Sequence, residues 1–392
     1  MSIDKIPRQV KILGFVSLFT DMASEMLYPI TPIFLTAVLG SSMAVVGLIE
    51  GLAEITAGFF KGYFGRLSDK LGRRSIFVRI GYSLSALTKP LPGIFPHIST
   101  VLFARVTDRV GKGIRTAPRD ALLASYSENN SGAIFGFHRG MDTLGAALGP
   151  AVALVLLYFY PENYILIFLV AFIPSLIAVS FTVPVKDKPI SVAVKEKSNY
   201  KSFWNAASSN YKKVLLFITI FSLVNSSDVF LILKSKVVSG SSTQAILGYI
   251  FYNIIYASSS YPLGKFSDKF GKRNIFISGL LIFSLVYLGF ALTNHEIIIW
   301  ILFAFYGIYA AATEGVAKAW VSDLIPDKSR GTAIGLLTML SSIAMMAGSL
   351  LTGVLWDRFG PGVPFIFSSI LSFVIAVVFM FLRKDSNKVE IA

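Results

Sequence analysis

Asp21 and Glu25 stand four residues apart, as do Glu50 and Glu54, and both pairs lie in largely apolar surroundings. In a helix that spacing puts both carboxyls of a pair on one face. Asp108, Asp142 and Asp228 are further acids in similar surroundings. Burial favours a neutral carboxyl and a neighbouring cation favours a charged one, so such groups can exchange a proton near neutral pH. A proton-coupling role is therefore open to all seven acids. Na⁺ suits the same hard oxygens. Cations accompany them. The stretch "RVTDRVGKGIRTAPRD", Arg105 to Asp120, carries Arg105, Arg109, Lys112, Arg115 and Arg119. At about 100° per residue these fall on one side of a helix. Guanidinium groups suit bidentate capture of carboxylate or phosphate.

Three readings of this stripe stand. It can bind an anionic substrate from a cavity wall. Arg105 and Arg109 can pair with Glu50, Glu54, Asp21 or Asp142 as a structural network. Its far end, Lys112 to Arg119, can lie beside phosphate head groups. We expect Arg105 and Arg109 at a cavity and Arg115 and Arg119 at the head groups. Tyr28, Asn225, Glu314 and Lys318 join Arg105, Arg109 and Lys112 as candidate substrate contacts.

These groups need membrane-spanning helices to hold them. The 392 residues are 54% hydrophobic and 15% charged, against about 25% charged in soluble domains. A charged group deep in a span costs about 2.5–3.5 kcal/mol on insertion scales and faces a cavity or a partner. Twelve apolar stretches can each cross a bilayer of about 30 Å. The first runs Ile12–Leu39, the third Ile76–Phe95, the fourth Ile98–Leu123 and the seventh Val214–Val237. Lys and Arg gather in alternate connections, whereas "GSSM", "PHIS", "YPENY" and "TNHE" hold none. That bias puts both termini in the cytoplasm. It also accounts for the net charge of +14 without nucleic acid. With no cysteine there is no disulfide or thiolate metal site. No HExxH, GxSxG or P-loop pattern is present and the three histidines are scattered, which argues against an enzyme. We expect no cofactor and no metal.

The chain divides into an N-terminal six-helix bundle, 1–184, a basic cytoplasmic loop, 185–213, and a C-terminal six-helix bundle, 214–392. The halves repeat. "GRLSDKLGRRSIF" begins at Gly65 and "GKFSDKFGKRNIF" at Gly264, 199 residues later. The same offset pairs Gly132 with Gly331, Gly136 with Gly335 and Gly149 with Gly348. Internal repeats mark secondary transporters, with the site between repeats near the midplane.

"GRLSDKLGRR", with Gly65, Asp69, Gly72, Arg73 and Arg74, resembles the loop signature of the major facilitator superfamily. It lies between spans two and three, where that family carries it, and Asp268 belongs to its second copy. "GAALGP", with Gly145, Gly149 and Pro150, resembles the Gly-x-x-x-Gly-Pro motif of the proton-coupled antiporter branch. The position four after Arg105 departs from the family, being Arg109 where Gly is common. "FTDMASEMLYPITP", "DRVGKGIRTAPRDALLA" and "GFHRGMDTLGAALGP" resemble a widespread bacterial subgroup of uncharacterised facilitators.

The resemblance covers the whole chain. It implies an all-α integral membrane fold of twelve transmembrane helices in two pseudo-symmetric bundles, with spans one, four, seven and ten lining a cavity. It further implies alternating access in a bacterial cytoplasmic membrane. Asp69 would meet the N-terminal end of span eleven near Gly331, closing the cytoplasmic side as a gate with Gly65, Gly72, Arg73, Arg74 and Asp268. Gly145, Gly149 and Pro150 would permit close approach and a bend. The expected function is proton-coupled transport of a small anionic or amphipathic solute by a monomer, with lipid, solute and protons as partners. A siderophore or drug transporter, or a sensor that no longer transports, are the alternatives.

Overall fold

A computed structural model describes residues 6–28, 30–41, 43–127, 130–188 and 200–381. The described chain is built of helices. In the first half these are α1 (Arg8–Leu27), α2 (Ile30–Ile33), α3 (Met43–Leu71), α4 (Arg74–Thr88), α5 (Leu91–Ile94), α6 (Ile98–Ser125), α7 (Ser131–Phe159) and α8 (Tyr164–Thr182). A short α9 (Tyr200–Ala206) leads into the second half: α10 (Ser209–Val224), α11 (Val229–Ser239), α12 (Ser242–Phe270), α13 (Lys272–Leu292), α14 (Glu296–Asp323), α15 (Arg330–Phe359) and α16 (Val363–Phe381). A π-helical turn, Phe34–Val38, extends α2. The twelve apolar stretches thus appear as helices or pairs of helices.

Three stretches that read as single spans are interrupted. The first stops at Leu27 and resumes at Ile30. The third stops at Thr88, and Pro90 begins the turn into α5, since proline supplies no backbone donor to continue the ladder. The seventh breaks between Val224 and Val229, across "NSSD". Ser, Asn and Asp side chains compete locally with helical hydrogen bonds. Among the described residues six helices, α7, α8, α13, α14, α15 and α16, are long and apolar enough to cross a membrane by composition alone. Helices such as α6 fall short because of the charges they carry.

The repeat is visible in the turns and the packing. Gly72 (φ 63°) and Gly271 (φ 90°) turn the chain from α3 into α4 and from α12 into α13. A side chain is strained in that left-handed region, so both copies of the signature need glycine there. Helix α3 packs on α15, and α12 on α7, across the two halves. We call the end of the molecule that carries these turns the basic end.

Candidate functional site

Helix α6 lays its charges along two different environments. Arg105, Arg109 and Lys112 are half-buried. All three, with Lys89, lie within electrostatic reach of Glu25 on α1. Lys89 caps the end of α4. Its ammonium is 3.0 Å from Asp108 Oδ1 and donates to Ser24 Oγ at 2.8 Å. Among the described side chains, this cluster sets four cations against two carboxylates. Leu27, Phe168, Ser24, Lys89, Arg105 and Asp108 line a small chamber beside it.

Further along α6, Gly81 and Gly111 let α4 and α6 touch backbone to backbone. A Cβ on either would come within 2.6 Å of the other's carbonyl oxygen. That approach sets Arg115 into α4, where it donates to Ser85 Oγ at 2.6 Å and lies 4.3 Å over the Tyr82 ring. Arg119 grips Asp120 with Nε at 2.9 Å and Nη2 at 2.8 Å, and reaches Tyr82 Oη at 3.3 Å.

Across the bundle, Gly145 and Gly149 bring α7 against α1. Their Cβ atoms would run into the carbonyl oxygens of Leu18 and Met22. This brings Asp142 within electrostatic reach of Asp21. Ser17 Oγ donates to Asp142. Arg139 Nη1 is 2.6 Å from Asp142 Oδ2, its Nη2 is 2.5 Å from Glu314 Oε2 on α14, and its Nε donates to Tyr256 Oη on α12. A second ion pair crosses the halves close by, Lys318 Nζ to Asp120 Oδ2 at 2.7 Å. In the second half Asp228, at the start of α11, accepts from Tyr306 Oη at 2.7 Å.

At the basic end Asp69 takes the N-terminal N–H groups of α15: Gly331 at 3.1 Å and Thr332 at 2.6 Å, with the Thr332 hydroxyl at 2.8 Å. A carboxylate there completes orphan donors and meets the positive end of the helix. Burial pushes the Asp69 carboxyl above its ordinary range, against the opposing pull of Arg74 and the Thr332 donors. Arg74, 1% exposed, joins Asp69 (3.1 Å) to Asp327 across the halves (3.1 Å). The second copy repeats the arrangement. Asp268 accepts from Gly132 and Ala133 of α7, both at 2.8 Å. Lys272 holds Asp268 at 3.0 Å and Asp323 at 2.7 Å. Glycine is required at both crossings: a Cβ on Gly331 would lie 2.7 Å from Gly65 O, and one on Gly264 would strike Gly132 O.

The model of the Major Facilitator Superfamily matches residues 13–248 and 215–391. An uncharacterised MFS-type transporter of Methanocaldococcus jannaschii is 35% identical over 389 residues, covering 96% of each chain. The chain belongs to the Major Facilitator Superfamily. A homologue of the multi-drug resistance efflux pump PmrA in Lactococcus lactis subsp. lactis is 23% identical over 344 residues, covering 85% of this facilitator and 84% of the relative. The crystal structure of the facilitator FucP in the outward conformation superposes with a TM-score of 0.76 at 12% identity, over 96% of this chain and 99% of that one. The fold is the twelve-helix facilitator fold in two six-helix bundles, and the facilitator is a membrane transporter, not an enzyme.

The structure brings together most of the expected site residues and separates others. Arg105, Arg109, Lys112, Glu25 and Asp108 cluster, and Asp21 approaches Asp142. Glu314 and Lys318 lie at the seam between halves, tied to Arg139 and Asp120. Asn225 falls at the break before α11, three residues from Asp228, and Tyr28 is exposed just beyond α1. Pro150 lies within a continuous α7, and Gly145 and Gly149 permit the close approach. The side chains of Glu50 and Glu54 lie outside the described residues, as does 189–199 of the central loop.

Two expectations are corrected, and two residues were missed. Arg115 and Arg119 are not beside head groups: they are 4% and 8% exposed inside the first half, because α4 and α1 cover that turn. The stripe is therefore two sites, divided near Gly113. Arg73 is exposed, and no ion pair joins it across the halves among the described residues; Arg74 alone of the two reaches over. Lys89 escaped the sequence reading, although one lysine within the apolar stretch Ile76–Phe95 is the same signal that marked Arg105. Asp187 also escaped it. Its Oδ1 accepts the backbone N–H of Arg74 at 2.9 Å and of Ser75 at 2.8 Å, capping α4 beside the Asp69 contact.

Proposed function

We propose that the facilitator is a proton-coupled secondary transporter for small organic anions in a cytoplasmic membrane, working as a monomer. The two bundles, 1–184 and 214–392, move as units about the site, and 185–213 links them. The basic end faces the cytoplasm, in keeping with the alternating loop charges. Asp69 with Gly331 and Asp268 with Gly132 then form a pair of cytoplasmic gates, both made here, so this is the cytoplasm-closed state. Gly65 and Gly72 shape the first gate, and Arg74 reinforces it.

The observation that carries the substrate class is the cation-rich wall around Glu25. Arg105, Arg109 and Lys112 bind the solute's carboxylate or phosphate, with Tyr28, Asn225, Glu314 and Lys318 bounding the space. A low local dielectric strengthens such pairing. The name of the Lactococcus relative supports a second reading, efflux of amphipathic drugs, with Glu25 and Asp228 as the acidic contacts.

Reconstituted protein tests this by counterflow of radiolabelled mono- and dicarboxylates and sugar phosphates, with lipophilic amines as the competing class. Arg105→Ala should lose anion counterflow by about tenfold or more while inserting normally. Arg105→Lys should recover little, because a point charge lacks the planar fork. Amine transport without anion transport favours the drug reading.

A further inference from the structure

We propose that Asp187, in the loop that leaves α8, is a positioning residue: by fixing where α4 begins, it selects Arg74 over Arg73 as the cation that ties Asp69 to the other half. The inference deepens the closure reading above and rests on it.

Each copy of the signature ends in two adjacent cations, Arg73 and Arg74 in the first half and Lys272 and Arg273 in the second, paired by the 199-residue offset. The cation that holds the signature carboxylate differs between the copies. In the second it is the earlier one, Lys272, four residues after Asp268 and 3.0 Å from it. In the first it is the later one, Arg74, five residues after Asp69 and 3.1 Å from it. The other cation of each pair is turned away. Arg73 is exposed, and Arg273 reaches back to the end of α16, donating to Phe379 O at 2.5 Å. The two chosen cations share a place in their helices: Lys272 opens α13 and Arg74 opens α4. The helix start therefore decides which cation faces the carboxylate, since a step of one residue turns a side chain by about 100°.

The start of α4 is set from outside its local sequence. A helix leaves its first N–H groups without intrahelical partners. The residue before α4, Arg73, makes no capping bond, because a guanidinium has only donors. Asp187 supplies the missing acceptor. Its Oδ1 takes the N–H groups of Arg74 and Ser75 at 2.9 and 2.8 Å, and its Oδ2 takes the Ser75 hydroxyl at 2.7 Å. These contacts leave Arg73 outside the helix in extended conformation, with φ −126° and ψ 92°. In α13 the repeat of Ser75 is Asn274, and its N–H goes instead to Gly271 O at 3.1 Å.

The loop is held so that it presents Asp187. Arg79 of α4 donates to the carbonyls of Val183 at 3.1 Å and Val185 at 2.7 Å. Tyr126 Oη donates to Lys186 O at 2.9 Å, and the Val185 side chain is buried. The repeat of Arg79 is Ser278, whose hydroxyl turns to Asn274 O within its own helix. The arrangement belongs to the first half, and so does its result: Arg74 reaches past Asp69 to Asp327 of the second half at 3.1 Å. Without Asp187, α4 should start one residue earlier, as α13 does. Arg73 then takes Asp69 as Lys272 takes Asp268, and Arg74 turns outward as Arg273 does.

The test uses the full chain in nanodiscs. The chain has no cysteine, so spin labels at Lys70→Cys and Lys269→Cys read the separation of the two halves at the basic end. The fraction at short distance measures the closed form. With Asp187 present, Arg74→Ala should lower that fraction about tenfold or more, and Arg73→Ala by less than about twofold. In the Asp187→Ala background the order should reverse, with Arg73→Ala the damaging change. Asp187→Asn keeps an oxygen that can accept both N–H groups and should keep the wild-type order. Arg79→Ser gives the first half the residue of the second and should reverse the order as Asp187→Ala does, so the test stands even where Asp187→Ala protein does not accumulate.

A residue that merely stiffened the loop would weaken closure without changing which arginine matters. Arg74→Ala remaining the more damaging change in the Asp187→Ala and Arg79→Ser backgrounds therefore overturns this proposal alone. Unchanged label distances in Arg74→Ala with Asp187 present sink the closure reading and the proposal with it.

Discussion

The two halves share one fold and one aspartate-to-helix contact, yet their interiors are chemically unlike. The first half buries Lys89, Asp108, Arg115, Arg119, Asp120, His138 and Asp142. At the positions 199 residues later stand Leu288, Gly307, Glu314, Lys318, Ala319, Leu337 and Ser341. Only the two that face the seam keep a charge. The second half keeps its ion pairs to the basic end and one buried lysine, Lys234, and fills its interior with rings. Tyr252, Tyr256, Tyr287, Tyr306 and Tyr309 are nearly inaccessible. Tyr252 lies 5.0 Å from Tyr306, which lies 5.2 Å from Tyr309, which lies 4.9 Å from Phe283. Such contacts hold a bundle together without any dependence on protonation. Buried ion pairs are a poor source of stability but respond strongly to one lost partner. The difference teaches that the first half is held by charges that depend on their partners, and the second by ring packing that does not.

The sharpest way to break this comparison is to orphan a charge in the first half. Asp120→Ala leaves Arg119 buried and Lys318 without its cross-half partner. It should cost on the order of 3–5 kcal/mol, read as a large fall in thermal midpoint and in yield from the membrane. A drop of under about 1 kcal/mol would mean that the network tolerates an unpaired arginine and is not the tightly matched unit described.

The two aspartate-to-helix contacts at the basic end offer a finer contrast, since each carboxylate meets a helix N-terminus of the other half and the two differ in backing. Asp69→Asn strips a carboxylate from the α15 N-terminus and also from the nearly inaccessible Arg74. Loss of hydrogen bonds to a charged group is worth about 1.5–3 kcal/mol, so the closed form should lose roughly ten- to a hundredfold in population. Asp268→Asn should shift the balance less, because Lys272, more accessible, keeps Asp323. Spin-label distances across the basic end measure both. Equal shifts would show that the backing arginine adds nothing.

The smallest effect belongs to the aromatic half. Tyr306→Phe removes the donor to Asp228 while keeping the ring in place. It should cost about 0.5–1.5 kcal/mol and leave the label distances across the basic end as in wild type. A changed distance would tie Asp228 to the basic end and erase the division between halves.

What the sequence determined by itself is what depends on local order along the chain. Hydropathy marks the apolar stretches, six of them apolar enough to span by composition alone, because each must match the bilayer on its own. The repeated Gly-x-x-x-Asp motif announced a carboxylate at a helix end, and the resemblance to the facilitators, not the motif's spacing, pointed to its partner near Gly331. The acids and bases within the spans were visible as costly exceptions. The tertiary structure alone decided which of them meet. Arg115 and Arg119 share a face with Arg105 on α6, yet α1 and α4 enclose the first two and leave Arg105 half-buried. Asp21 and Asp142 lie 121 residues apart, and their approach is set by how deeply two glycines let α7 sink onto α1. The same holds for Arg139, whose reach to Glu314 depends on the seam between halves. Charge pairing falls off over a few ångströms, and helix rotation and crossing distance set those ångströms, so no spacing along the chain encodes it.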